Sequence, residues 1–139
     1  VQSLQPLLSE DRVAALARGE SVQVRVQGVS MLPWLRPGES VCIQPVNREL
    51  YPGDIALFWR EKNQPVLHRV VRTHLGGDSD TVDCLGDSEY GSPEVVPTSS
   101  IIGLAEMTLF RRWIFRVVHP PRRFLNRLCC RLGVRLRHG

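Results

Sequence analysis

Two Pro-Gly turns, fifteen residues apart, constrain this chain more than any other feature of its sequence. Leu35-Arg36-Pro37-Gly38-Glu39-Ser40-Val41 is echoed by Leu50-Tyr51-Pro52-Gly53-Asp54-Ile55-Ala56. Proline presets φ at the first central position of a type II turn, and glycine accepts the positive φ of the second. Each turn is expected to launch a strand, at about residues 40–44 and 55–59. The same period-two pattern recurs around them: Val22, Val24 and Val26 alternate with Gln23, Arg25 and Gln27, which reads as a half-buried strand. Further strands are expected at 66–72, 81–85 and 101–104, the last extending toward Phe110. A polar turn, 61–65, and Gly76-Gly77-Asp78 separate the middle ones, and Ser88–Ser99 reads as a polar loop. About six short strands with turns between them predict a mainly β fold, a β-rich barrel or folded sheet.

The ends of the chain are different. Ser9-Glu10-Asp11 starts a short helix, with a capping serine and acids in the first turn. Val13, Ala14, Leu16 and Ala17 supply its apolar side, and Gly19 is its stop. Beyond His119-Pro120-Pro121, Arg123, Arg127, Arg131 and Arg135 recur every four residues beside Leu125, Leu128, Cys129, Leu132 and Leu136. This is the pattern of a basic amphipathic helix. Residues 1–110 hold 9 basic and 14 acidic side chains, net −5, whereas 111–139 hold 9 arginines and no acid. The overall charge of +4 therefore belongs to the tail. The expected division is a folded body, 1–110, and an Arg-rich tail, 111–139. With Phe110, Trp113, Ile114, Phe115 and Phe124 interleaved, the tail suits an anionic membrane surface. Docking on the acidic body, disorder and phosphate binding to nucleic acid are the other readings, nucleic acid being the least favoured.

At 139 residues the chain suits one core. The four cysteines form no C-x-x-C pair, so neither a zinc site nor a disulfide framework is expected. No apolar run reaches the roughly 20 residues that span a bilayer, and the N-terminus carries no basic start followed by an apolar stretch. The expected location is cytoplasmic, or peripheral at a membrane.

The chemistry lies in Gly28-Val29-Ser30-Met31-Leu32-Pro33 and His68-Arg69-Val70-Val71. A serine hydroxyl is a poor nucleophile until a base takes its proton, and histidine suits that task near neutral pH. Thirty-eight residues separate Ser30 from His68, so only the fold can join them. A strand delivers Ser30, and Pro33 and Pro37 restrict the next residues to a brief turn. Gly28 lets the backbone approach a bound chain, and an N–H at such a turn can serve as an oxyanion donor. His74, His119 and His138 lack comparable context.

The ordered set G-V-S-M-L-P, P-G-D-I-A-L-F, H-R-V-V, G-D-S and I-I-G resembles the type I signal peptidases and the related LexA-like self-cleaving proteins, over about residues 22–107. Most of these relatives pair serine with lysine, and where their lysine precedes Arg-Val this chain has His68. It thus resembles the Ser-His branch of the endoplasmic reticulum, archaea and some spore-forming bacteria. Lys62 is the only lysine, six residues before the matching position, and would need a different alignment to act as base.

The resemblance implies a signal-peptidase or LexA-like core and a serine endopeptidase acting through an acyl-enzyme on Ser30, with His68 as base. Asp87, in Gly86-Asp87-Ser88, is implied as the acid that orients His68, with a turn-forming Gly-Asp as its plain alternative. Glu94 falls where relatives tend to carry a second acid, and Ser92 matches a position that supports the base. Gly28 and Met31 flank the nucleophile as oxyanion and substrate-binding positions. Gly28 stands where many signal peptidases have a hydroxyl, so the oxyanion hole would rest on backbone N–H groups. No metal or organic cofactor is implied. The substrate would be an extended peptide or precursor protein. The alternatives are a catalytically inactive peptide-binding module and a LexA-like self-cleaving regulator. The 29 residues before Ser30 carry no sign of a DNA-binding domain, which disfavours the regulator.

Overall fold

The structure, a computed structural model, describes residues 8–61 and 64–107. The basic tail, Lys62, Cys129 and Cys130 lie outside the described residues. The chain divides between Glu106 and Met107, and the helix and strands all belong to the first unit.

One helix, α1 (Glu10–Ala17), precedes seven strands: β1 (Val22–Arg25), β2 (Ser40–Gln44), β3 (Ile55–Arg60), β4 (Gln64–His74), β5 (Thr81–Leu85), β6 (Glu94–Pro97) and β7 (Ile101–Ala105). They form a single antiparallel sheet in the order β1-β2-β7-β3-β4-β5-β6. The mainly β expectation holds, as an open sheet whose edges are β1 and β6. Among the described residues no helix is long and apolar enough to cross a membrane.

Local chemistry explains most of these boundaries. The Glu39 N–H reaches the Arg36 carbonyl at 3.0 Å and the Asp54 N–H the Tyr51 carbonyl at 3.1 Å. Gly38 and Gly53 take φ of 85° and 103°, as Pro-Gly turns require. Helix α1 stops at Gly19, with φ 86° and the Glu20 N–H bonded to the Ala15 carbonyl at 2.9 Å, a left-handed C-terminal closure. Ser9 stands at its N-terminus with extended backbone but makes no side-chain cap. The helix buries Ala15 and Leu16 against β1 and β7, and Ala14 and Ala17 face solvent.

Three expectations are corrected. The loop 88–99 contains β6, which pairs with β5 from Thr81↔Pro97 to Cys84↔Glu94. Only Val96 of its four residues is buried, so its alternation is too brief to read. Strand β4 runs for 11 residues rather than seven. It carries a bulge between Val70 and Arg72, and at that point the chain passes from five consecutive buried residues, Val66–Val70, to exposed Val71 and Arg72. Finally, β7 ends at Ala105.

Both faces of the middle strands are buried. Ala56, Phe58, Val66, Val70, Val82, Cys84, Val96 and Leu104 form one cluster with Leu50. Ile55, Leu57 and Leu67 alternate with these residues and are buried on the opposite side. Among the described residues one eight-residue helix packs on this sheet, against β1 and β7. Cys42 and Cys84 are free thiols.

A buried ion pair joins the turns at the two ends of this middle region. Arg69, only 3 % exposed, donates from Nε and Nη2 to the two Asp87 oxygens, each at 2.7 Å, and from Nη1 to the Gly53 carbonyl at 2.9 Å. Removing one partner strands the other as a buried charge. Arg69→Met is therefore expected to destabilise the protein by roughly 3–5 kcal/mol in urea unfolding. The double variant Arg69→Met/Asp87→Leu is expected to recover much of that loss, and additive losses would show that the pair does not act as a unit.

Candidate active site

Ser30 is presented by a turn anchored on both sides. Pairing of β1 with the chain before β2 continues one step past Arg25, where Val26 donates to Glu39 and accepts from Gly38, both at 2.8 Å. The chain then departs, and Gly28 takes φ 74° with open space beside its Cα. Ser30, half-buried, opens a compact turn in which the Trp34 and Leu35 N–H groups donate to the Met31 carbonyl at 3.1 and 2.9 Å. Met31 and Leu35 are buried and peg the turn to the body. Met31 is thus an apolar anchor directly beside the hydroxyl.

His68 lies opposite Ala56 in the β3–β4 ladder and is 3 % exposed. Its ring meets Phe58 edge-to-face, with centroids 6.2 Å apart. Nδ1 is buried with no hydrogen-bond partner, and Nε2 lies 3.7 Å from Glu89 Oε2. Burial is the largest influence on the ring and pulls its pKa below the ordinary histidine value. Glu89 opposes that shift, Arg60 adds to it, and Glu94 and Asp87 oppose it more weakly. Loss of hydration therefore outweighs the carboxylates, and the neutral ring, the form able to accept a proton, is favoured.

Gly86 lies against the Ser30 backbone and in register with His68. Strand β4 pairs with β5 at Arg69↔Leu85, so the next step of the register carries His68 level with Gly86. A Cβ on Gly86 would fall 2.7 Å from the Ser30 carbonyl oxygen and 2.9 Å from the Glu89 carboxylate. The absent side chain is what admits both groups. The turn is fastened further: the Ser88 N–H donates to the Ser30 carbonyl at 2.9 Å, and Ser88 Oγ donates to the Val29 carbonyl at 2.8 Å. Glu89 closes the turn on itself, its N–H bonding the Gly86 carbonyl at 3.0 Å while its Oε2 accepts the Gly86 N–H at 3.1 Å. The Ser30 turn and the segment level with His68 thus share one attachment point.

The remaining candidates divide. Asp87 commits both oxygens to Arg69. Because alternation sets Arg69 on the face opposite His68, Asp87 fixes the turn from the far side of the sheet. Glu94, on β6, is held by Arg60, whose Nε lies 3.0 Å from Oε2, and acts on His68 through space. Ser92 is exposed in the loop before β6. Sequence reasoning missed Glu89. Its signal was its place three residues after a turn glycine, the spacing at which a carboxylate can fold back onto that glycine's N–H. Among the described residues no group of three or more His, Cys, Asp or Glu side chains is arranged to hold a metal ion.

The arrangement offers a hydroxyl on an anchored turn, a buried neutral imidazole and a carboxylate beside it. Gly86→Ala is expected to cost about 1–3 kcal/mol through overpacking against the Ser30 backbone and Glu89, read as a fall in the urea midpoint. An unchanged midpoint would mean that the two groups are not lodged in that space.

No protein-family model matches the chain, and a search of curated proteins returned no match.

Proposed function

We propose that this chain is a serine endopeptidase with a signal-peptidase or LexA-like core, in which Ser30 is the nucleophile and His68 its base. The observation that carries this reading is the convergence at Gly86: one glycine, level with a buried and partly unsatisfied histidine, lodges the backbone of the serine's turn and a carboxylate. A purely structural histidine gains nothing from a buried Nδ1 without a partner, since an unpaired buried polar atom is costly. A role for the ring in chemistry is one reason such an atom is retained.

In the proposed reaction the Ser30 hydroxyl attacks a peptide carbonyl carbon while its proton passes to the His68 ring. Backbone N–H groups of the Gly28–Ser30 segment would hold the oxyanion. Collapse of the tetrahedral intermediate breaks the C–N bond, and the proton on His68 leaves with the amine. Water then attacks the acyl-enzyme as His68 takes its proton, and that proton passes to Ser30 Oγ as the ester C–O bond breaks and the second product leaves as an acid.

The substrate is an extended peptide added to the free edge of β1, the edge strand that leads directly into the Ser30 turn. Backbone pairing along an edge gives affinity without requiring a particular sequence. The two edges differ in their protection. β6 is bracketed by Pro93 and Pro97, residues that blunt an edge against pairing, whereas β1 contains no proline.

A fluorophosphonate probe is expected to label the wild-type chain, and Ser30→Ala and His68→Ala are expected to abolish labelling. Labelling that survives Ser30→Ala would remove the nucleophile assignment, and an unlabelled wild-type chain would favour the inactive peptide-binding module. The pH profile tests the base. His68 must be neutral to act, and burial holds its pKa low. Labelling is therefore expected to rise to its plateau through a limb below about pH 6.5. A limb well above that value would point to Lys62 instead.

A further inference from the structure

We propose that Glu89 is the positioning carboxylate of this site, orienting the His68 ring and stabilising its protonated form during the reaction. Its catalytic meaning rests on the Ser30–His68 reading, but the pairing of Glu89 with His68 stands on its own geometry. Among the described residues Glu89 is the carboxylate within 4 Å of a His68 ring nitrogen, at 3.7 Å from Nε2. The role that sequence resemblance implies for Asp87 is closed to that residue, because its oxygens are engaged by Arg69 and His68 Nδ1 has no partner.

Glu89 is also held where such a carboxylate is useful. Its oxygen is fixed by the Gly86 N–H, in the space that a Gly86 side chain would occupy, next to the Ser30 carbonyl. A fixed charge needs little reorganisation when His68 takes up a proton. The other charged groups around His68 have different commitments. Arg60, on β3, and Glu94, on β6, neutralise one another in an ion pair. Asp87, in the same turn as Glu89, is neutralised by Arg69. The Cys84 thiol on the same sheet face stays protonated, pushed up to about 12 by burial. Among the described residues Glu89 is left as the carboxylate that faces the ring without an ion pair to an arginine, the Arg60 guanidinium that feels its charge being held by Glu94. Its side chain is 43 % exposed, so a peptide lying over the site would exclude water from it and strengthen its hold on the imidazolium.

The test uses the full chain and two readouts. The His68 ring is followed by NMR titration, assigned against His68→Gln, and Ser30 reactivity by the rate of fluorophosphonate labelling across pH. Glu89→Gln retains an oxygen for the Gly86 N–H and removes the charge. The protonated ring then loses its partner, so the His68 midpoint is expected to move to lower pH by about half a unit or more. Labelling is expected to slow by roughly tenfold or more, its acid limb moving with the midpoint. Glu89→Asp is expected to recover part of both effects. A His68 midpoint unchanged in Glu89→Gln overturns the pairing. A shifted midpoint with labelling within about twofold of wild type overturns the positioning role. If wild-type Ser30 is not labelled at all, the peptidase reading fails, and the NMR titration still decides whether Glu89 and His68 are paired.

Discussion

The buried contact of Arg69 with Asp87 and Gly53 is the interaction on which the rest of this architecture depends. It ties the turn that starts β3 to the turn that ends β5, with β4 between them. The guanidinium suits this task because its planar fork meets both carboxylate oxygens while another N–H reaches a carbonyl. Two neighbouring residues of β4 therefore divide the work between the two faces. Arg69 fixes the geometry of the Gly86–Glu89 turn from one side, and His68 faces the product of that geometry on the other. The order of the site derives from a charge pair that need not take part in its chemistry.

The electrostatics around His68 show how a buried ring can remain responsive. Burial alone would keep it neutral under most conditions. Four charged groups on three different elements oppose or assist that tendency, and three of them are compensated by partners of their own. A neutral resting ring combined with a nearby fixed carboxylate separates two requirements that conflict in simpler sites: accepting a proton readily, and tolerating the charge afterwards.

Much of the fold was legible because its signals are local. The Pro-Gly turns, the Gly19 stop and the valine alternation of β1 each arise from one or two residues whose backbone preferences tertiary context did not override. The strand β6 was not legible, since it buries Val96 alone and begins just after a proline. The full length of β4 was hidden as well: Gln64 and Pro65 read as the end of a polar turn, and Thr73 and His74 lie unburied beyond the bulge. For the candidate site, the sequence singled out Ser30, His68 and the Gly86-Asp87 turn. It could not apportion the acids. Whether Asp87, Glu89 or Glu94 attends the ring depends on which arginine each one meets, and Arg60 and Arg69 reach those partners across 34 and 18 residues of chain. Pairing at that range is a property of the folded sheet and leaves no trace in spacing.

The position of β7 carries a consequence for how the protein comes into being. The last described strand in sequence lies in the middle of the sheet, between β2 and β3. The described strands made before Ile101–Ala105 therefore fall into two ribbons, β1-β2 and β3 through β6, with no strand pairing between them. The serine's strand belongs to the first ribbon and the histidine's to the second. In the sheet itself only β7 joins these two ribbons, so a half-made chain depends on protection of its unpaired strand edges until that strand is made.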